Sequence, residues 1–300
     1  MMNTISDKIK ADPSEVRQEF SNINIKLLCC RYWILQTWQC FDLSVPFWRI
    51  YHNSTDGAQI HFKGQTTYLN EQTIVIIPPN TSFSTSIGNT NINGKHESII
   101  GRKVEERDTI SNSIQNRVDH LFIHFSLGFP LDFAQTGIFT VSCTSELGDL
   151  IEKIKISCIE DTHFDLLECF RIKQLINSCL LNIEENIWNV AAIDQRILVA
   201  MRTIERNFNQ GISNAVLANT ANMAVNSFSR LFKTNTGFSV QQYIAKTKIE
   251  FACNLMHHSH QTMDEIAYSC GFYDRHHFSK TFKRQMKVNP SYYFKNLMIS

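Results

Sequence analysis

The order of apolar and polar positions divides the chain into a strand-rich first part and a helical remainder. Between about residues 27 and 139, short apolar or alternating runs are separated by turn signals, as in PFWRIYHN, AQIHFKG, QTIVIIPPN and VDHLFIHFSLG. Alternation with a period of two is typical of strands that bury one face. We therefore predict an antiparallel β barrel or jelly roll over this region and not a parallel sheet.

From residue 146 to about residue 182 the apolar spacing becomes that of helices. LGDLIEKIKISCI and FDLLECFRIKQLINSCLL each predict an amphipathic helix, whose stripe packs either within the chain or against a second copy. By contrast, the polar segment SIGNTNINGKHESIIGRKVEERDTISNSIQNR predicts a long excursion outside the core.

The last hundred residues contain an internal repeat. The sequence FSRLFK at 228–233 returns as FSKTFK at 278–283, and the pair at 217–218 returns with similar residues at 266–267. Each repeat predicts a first helix with small side chains, such as Ala215 in the first unit, which another helix can approach closely. A turn follows, and then a second helix with one apolar stripe and a polar, basic outer face. The repeat therefore predicts two helix-turn-helix units.

The residues that begin and end these helices differ between the two units. Asn222 and Gly271 both tolerate the left-handed conformation that the turns require. In the second unit Thr262 begins a capping box and Asp274 caps the next helix, whereas Ala224 provides no cap in the first unit. We predict that the second helix of the first unit is the less firmly held.

Between the two units, residues 239 to about 257 predict one continuous helix. Ser239 and Gln242 form a capping box at its start, and apolar residues follow at helical spacing. One such helix holds the units at a fixed separation, so they suit successive major grooves of B-DNA, about 34 Å apart.

Charge is distributed unequally, although the net charge of the whole chain is +1. Residues 1–200 contain 17 Lys and Arg against 23 Asp and Glu, a net charge of −6, whereas residues 201–300 contain 12 against 5, a net charge of +7. A basic surface attracts polyanions. The charge therefore supports DNA as the partner of the helical repeat.

Two motifs, LANTANMAVNSFSRLFKTNTGFSVQQYI and EIAYSCGFYDRHHFSKTFKRQMKVNPSYY, resemble the DNA-binding domain of the AraC/XylS family of bacterial regulators. The resemblance covers about residues 194–296 and implies that the second helix of each unit is the recognition helix. With the outward positions of those helices, it gives this DNA-contacting set: Asn226, Ser227, Ser229, Arg230, Lys233, Arg275, His276, Ser279, Lys280 and Lys283.

The strand-rich part resembles, more loosely, the cupin-like sensing domain of that family, through its strand rhythm, IIPPNTSFST and HLFIHFSLGFPLD. This resemblance implies a barrel that binds a small-molecule effector and helices that dimerise. An arginine flanked by aromatic residues, as in PFWRIYHN, suits a sugar or an organic anion. The predicted ligand-binding residues are Trp48, Arg49, Tyr51, His61 and His124.

Histidines inside a barrel raise the question of a metal. Within the predicted barrel there is neither an H-x-H pair nor an acidic ligand at a fitting spacing, so we predict a structural role for these histidines, no cofactor and no metal. The nine cysteines are scattered without a C-x-x-C pair, which predicts reduced and mostly buried thiols.

The sequence thus predicts an α+β protein with two domains. We expect a polar arm at 1–25, a cupin-like effector-binding and dimerisation domain at 26–182, a linker at 183–193 and an all-α DNA-binding domain at 194–300. The polar start lacks a secretory signal, and no run approaches the ~18 apolar residues of a membrane span. We expect a cytoplasmic protein without a membrane partner.

The predicted function is sequence-specific binding of double-stranded DNA by a transcription regulator that is not an enzyme. It acts as a homodimer that responds to a small molecule, and contacts RNA polymerase if it is an activator. One alternative is a constitutive DNA-binding protein whose first domain serves only assembly. The other, a cupin-type enzyme with an appended DNA-binding domain, needs a metal triad or an acid/base set, and the sequence displays neither.

Overall fold

The strands form one antiparallel sheet. The computed structural model describes residues 23–88, 98–106, 108, 117–128, 130–160, 164–188, 194–259, 261–286 and 288–298. The strands are β1 (Lys26–Leu43), β2 (Trp48–His52), β3 (Ala58–Phe62), β4 (Gln65–Tyr68), β5 (Thr73–Ile77), β6 (Phe83–Ile87), β7 (Ser98–Lys103), β8 (Val118–Ser126) and β9 (Phe139–Ser142). Their order is β4-β3-β6-β1-β8-β2-β5-β9, with β7 also paired to β1.

The long strand β1 makes the sheet curl. It pairs with β8 along its first half and with β7 and then β6 further on, and its register shifts against each of them. Irregularities of this kind bend a strand and increase its twist. The result is a curled antiparallel half-barrel, which confirms the predicted fold class of the first domain.

Strand β7 corrects one expectation. It lies within the polar segment that the sequence predicted to be an excursion, and its residues 98–103 pair with residues 33–39 of β1. The backbone of the short run SIIGRK forms its hydrogen bonds with β1. The polar sequence on both sides of this run hid its strand character. The other residues of that segment at 89–97, 107 and 109–116 lie outside the described residues.

Two helices, α1 (Ser145–Glu160) and α2 (Leu166–Leu181), cover one face of the sheet. They confirm the predicted amphipathic helices. Most of their predicted stripe is buried within the chain, and only Phe170 is exposed, at 60%. The buried members are Leu150, Ile151, Ile154, Ile172, Leu175 and Ile176.

The remaining helices form the two predicted helix-turn-helix units. They are α3 (Gln195–Asn207), α4 (Asn214–Thr220), α5 (Val225–Thr236), α6 (Val240–His258), α7 (Met263–Ser269), α8 (Arg275–Met286) and α9 (Pro290–Met298). Helix α6 contributes Tyr243 to the core of the first unit and Cys253 to that of the second, so one helix joins both. Ala218 is buried in α4, but Ala215 is exposed, which corrects its predicted packing role.

The amino-terminal domain contacts both units. Val45 and Phe47 are buried in the core of the second unit. Phe133 packs against the core of the first unit, and Nζ of Lys246 in α6 lies 4.2 Å from the centroid of its ring. None of the helices in the described part of the chain has the length and apolar content that crossing a bilayer requires.

Candidate DNA interface and ligand cavity

The turns of the two helix-turn-helix units have the same backbone hydrogen bonds. In the first turn the N–H of Met223 donates to the carbonyl of Ala218 at 2.9 Å, and in the second the N–H of Phe272 donates to that of Ala267 at 3.0 Å. Bonds of this span close the carboxyl end of a helix. The repeat in sequence is thus a repeat in structure, with the second helix leaving each turn in the same way.

Both turns require a left-handed residue, as predicted. Asn222 has a φ of 51° and Gly271 a φ of 70°. Gly271 is also confined by its neighbours, because a Cβ there would lie 2.4 Å from the carbonyl oxygen of Asn209. In addition, Nζ of Lys248 donates to the carbonyl oxygen of Gly271 at 2.6 Å. The turn of the second unit therefore packs directly on the segment that leads into the first.

The helix caps agree with the expected difference between the units. Thr262 and Glu265 form the predicted capping box, and Oδ1 of Asp274 accepts a bond from the N–H of His277 at 2.6 Å. Ala224 occupies the N-cap position of α5 and provides no side-chain hydrogen bond there. Helix α5 consequently begins with one fewer satisfied backbone N–H than α8.

The ten residues predicted to contact DNA lie on α5 and α8, away from the buried phenylalanines. Ser229 and Ser279 are half-buried and the other eight are exposed. Nη1 of Arg275 donates to Oδ2 of Asp264 in α7 at 3.1 Å, so this arginine would exchange an exposed ion pair for a phosphate or a base. Their contact with DNA stays a prediction.

Two tyrosines near the second turn are further candidates for DNA contact that sequence reasoning missed. Tyr268 at the end of α7 is 83% exposed, and Tyr273 just before α8 is 96% exposed. Large aromatic side chains with a hydroxyl suit contact with the sugar-phosphate backbone beside a basic face. Their position next to the capped helix α8 was the available signal.

A cavity of about 630 Å³ lies between the two domains. The half-barrel contributes β1, β2 and β8 to its wall, and the carboxy-terminal domain contributes the end of α6 and the α8–α9 connection. This volume is in the range of small-molecule sites. Its aromatic wall consists of Trp33, Trp38, Phe41, Tyr51, Phe122, Tyr292 and Tyr293.

Two of the predicted ligand-binding residues line this cavity. Tyr51 extends from β2 and His124 from β8. His120 also lines the cavity from the same face of β8 and packs against Tyr51 with ring centroids 4.8 Å apart. Its Nδ1 donates to Oδ1 of Asn53 at 2.7 Å. Burial lowers the pKa of His120 to about 3, so its ring is neutral at physiological pH.

The other three predicted ligand residues lie outside the cavity. Trp48 is on the opposite face of β2, where its Nε1 donates to Oδ1 of Asp132 at 3.0 Å. Arg49 is 1% exposed and donates from Nη2 to the carbonyl of Thr81 at 3.3 Å. His61 is on β3 and is not among the lining residues. The alternation in β2 was predicted correctly and puts Trp48 on the face opposite Tyr51. Arg49 shares the face of Tyr51, but its guanidinium is buried against Thr81 and the ring of Phe83.

The cavity wall also includes residues that sequence reasoning did not select. One face of β1 contributes four of them, namely Cys29, Arg31, Trp33 and Leu35. Among the described lining residues, Arg31 is the one that carries a permanent positive charge. Their spacing of two within KLLCCRYWILQTWQCFDL was the available signal. Residues of α6 and α9 carried no comparable signal, because only the contact between the domains brings them to this wall.

Comparison with known proteins concerns mainly the carboxy-terminal third. The family model described as a helix-turn-helix domain matches residues 217–296. The HTH-type transcriptional activator RhaS of Enterobacter sp. (strain 638) is 30% identical over 97 residues, which are 32% of this chain and 35% of RhaS. RhaS of Escherichia coli O1:K1 / APEC is 28% identical over 109 residues, 36% and 38% of the two chains. The chain thus matches little more than a third of the length of these relatives.

Two solved structures are similar to this chain at low identity. ToxT from Vibrio cholerae is 12% identical with a TM-score of 0.49, and the alignment covers 90% of this chain and 98% of ToxT. The DNA-binding domain of AdpA, solved in complex with a target DNA, is 24% identical with a TM-score of 0.32, covering 33% of this chain and 90% of that domain.

Proposed function

We propose that this chain is a sequence-specific, DNA-binding transcription regulator of the AraC/XylS type that is controlled by a small molecule, because residues 217–296 match a helix-turn-helix domain. The observation that carries the proposal is the pair of matching helix-turn-helix units on the shared helix α6, each with a polar and basic outer face. If the regulator activates transcription, RNA polymerase is a further partner.

Duplex DNA fits this arrangement through two recognition helices. Helices α5 and α8 each present basic residues opposite a buried phenylalanine pair, and α6 joins the cores of both units. A rigid connection lets both helices enter successive major grooves on one face of the duplex. Base contacts then give specificity, while lysines and arginines at phosphates give affinity.

Alanine at Arg230 or Lys280 is expected to weaken DNA binding. Loss of a base contact costs about 1–3 kcal/mol, and loss of a phosphate contact lowers the salt dependence of the binding constant by about one unit. Gel-shift titrations at several salt concentrations, on fragments that the purified protein retains from genomic DNA, measure both effects.

Lys153→Ala is the matched control, because this lysine is exposed on α1, outside the helical repeat. It should leave affinity and salt dependence as in the wild type. If Arg230→Ala and Lys280→Ala also behave as the wild type, these two residues do not contact DNA. If no fragment is retained at all, the DNA-binding proposal itself fails.

The effector we propose is an organic anion with an apolar or aromatic body. Aromatic residues make up much of the cavity wall, and Arg31 provides a cation there. Aromatic faces favour an apolar ligand body, and a guanidinium holds a carboxylate or phosphate through two parallel bonds.

A ligand in this cavity would act on the second unit directly. Its wall contains His257 and His258 of α6 together with Tyr293 of α9, and α6 also forms part of the core of that unit. A ligand changes an equilibrium only by contacting two states differently. We propose that occupancy changes how α8 is held relative to the half-barrel.

Thermal-shift titration separates this effector-controlled regulator from the constitutive alternative. An aromatic carboxylate that binds the native state should raise the melting temperature of the full chain, and Arg31→Gln should reduce that rise. A panel of organic anions and sugars without any stabilising member would favour a first domain that serves only assembly.

We propose that the chain forms a homodimer through α2 and the adjoining end of α1. Leu166, Leu167 and Phe170 of α2 are 71%, 53% and 60% exposed, and Ile156 of α1 is 50% exposed. Contiguous apolar surface of this kind is typical of a protein interface. Beside this surface, the hydroxyl of Ser157 in α1 donates to Oε1 of Glu168 in α2 at 3.4 Å, which joins the two helices.

Phe170→Lys is expected to weaken dimerisation at least tenfold, because a charge would replace an aromatic anchor at the centre of the surface. Sedimentation velocity over a concentration series measures the monomer-dimer equilibrium. Gln36→Lys is the control, since Gln36 is exposed on β1, outside α1 and α2, and its change removes no apolar group. A dimer unaffected by Phe170→Lys would exclude this surface.

A further inference from the structure

Three potential metal ligands meet where the two domains join. Cys29 of β1, His124 of β8 and His258 at the end of α6 each offer one ligand atom, and these atoms lie within 4.8 Å of one another. Sequence spacing gave no indication of this group, because Cys29 and His258 are separated by more than two hundred residues. Only the contact between the half-barrel and α6 assembles it.

The imidazole nitrogens of this group have unsatisfied bonding capacity. Within the described residues, Nδ1 of His124 and both ring nitrogens of His258 are buried without a hydrogen-bond partner. Buried polar atoms of this kind require an explanation, and an ion is one of the usual ones. The neighbouring His257 differs, because its Nε2 is hydrogen-bonded to the hydroxyl of Tyr293 at 3.0 Å.

An aromatic side chain covers one side of the two imidazoles. The ring of Phe47 packs against both, with centroids 4.8 Å from His124 and 5.6 Å from His258, and shields this side of the group from water.

We propose that Cys29, His124 and His258 bind a zinc ion that fastens the half-barrel to the second helix-turn-helix unit. One thiolate and two imidazoles are a usual zinc ligand set, with bonds of about 2.0–2.3 Å, so the side chains need to close by roughly 1 Å around the ion. All three residues line the cavity, so a fourth ligand reaches the ion from there. That ligand is water or the anionic group of an effector.

Charge balance around the ion follows from the same residues. Zinc is bound by the thiolate, so the thiol proton of Cys29 is released when the ion binds. Arg31 lies on the same face of β1 and opposes a bare cation. The thiolate offsets one charge, and the remaining positive charge favours an anionic fourth ligand.

Cobalt(II) titration of the reduced, metal-free full chain tests the site, because cobalt replaces zinc in such sites and gives a thiolate-to-cobalt charge-transfer band. We expect one cobalt per chain, displacement by an equivalent of zinc, and a higher melting temperature with zinc bound. Cys29→Ser should abolish the band, and His258→Gln, which keeps the thiol, should weaken zinc affinity at least tenfold.

Cys169→Ser is the matched control, because Cys169 is a half-buried cysteine on α2, outside the group. It should keep the band and the affinity, and circular dichroism should indicate a native fold for every variant. The proposal is overturned if the wild type gives no charge-transfer band, or if the band survives Cys29→Ser. These readouts are independent of DNA, so they do not depend on the proposed function.

Discussion

Asp119→Ala is expected to lower the free energy of unfolding by about 3–5 kcal/mol, since it breaks a buried and hydrogen-bonded ion pair. Asp119 and Lys155 are 5% and 2% exposed, with Nζ of Lys155 3.6 Å from Oδ2 of Asp119. The carboxylate also accepts bonds from the hydroxyls of Tyr32 and Thr55 at 2.9 and 2.7 Å. It therefore connects β8, β1, the loop after β2 and helix α1.

The same carboxylate should make stability sensitive to acid. Burial alone would raise the pKa of Asp119, but Lys155 and the hydrogen bonds from Thr55, Ser54 and Tyr32 outweigh burial and lower it. A lowered pKa in the folded state contributes stability above the ordinary carboxyl value, about 4, and this stability is lost as the pH falls through the folded value. Asp119→Asn should remove that part of the acid dependence.

Urea denaturation at neutral pH and near pH 3 measures both effects. Asp56→Ala is the control, because Asp56 is exposed in the same loop and should change stability by no more than about 0.5 kcal/mol. An Asp119→Ala variant as stable as this control would mean that the buried pair contributes nothing to the fold.

Gly271→Ala is expected to destabilise the chain by about 2–4 kcal/mol and to weaken DNA binding with it. The new Cβ would lie 2.4 Å from a backbone oxygen of Asn209, at a residue whose φ of 70° already disfavours any side chain. Relief requires the second turn to move away from the segment before α4, which shifts α8 relative to α5.

Denaturation and gel-shift titration of the same preparation measure the two losses together. Asn222→Gly is the matched control, because it puts glycine at the equivalent left-handed residue of the first turn, and we expect a change within about 1 kcal/mol. Unchanged stability of Gly271→Ala would contradict the close packing of the two units.

The helix-turn-helix units could be predicted from the sequence because the information that specifies them is local. Gly271, Thr262 and Asp274 act on residues within a few positions, and the phenylalanine pairs share a face by helical spacing alone. Strand β7 could not be recognised, since six residues in a polar context are stabilised by pairing with β1, which is remote in sequence.

The cavity could be predicted only in part, for a related reason. Tyr51 and His124 follow from the strand pattern, but alternation does not say which face of a sheet is covered by helices and which meets another domain. Trp48 lies under α1 and α2 for this reason. Residues His257 and Tyr293 reach the wall only through contact between domains, which no periodicity encodes.

Phe47 gives this contact a consequence for folding during synthesis. Its ring is completely buried, and it completes the core of the second helix-turn-helix unit although it belongs to the half-barrel. The half-barrel leaves the ribosome before the second helix-turn-helix unit, so Phe47 stays uncovered by that unit until the unit has been synthesised. A nascent chain that stalls before that point would expose an aromatic side chain for chaperones to hold, and only the folded second unit would bury it.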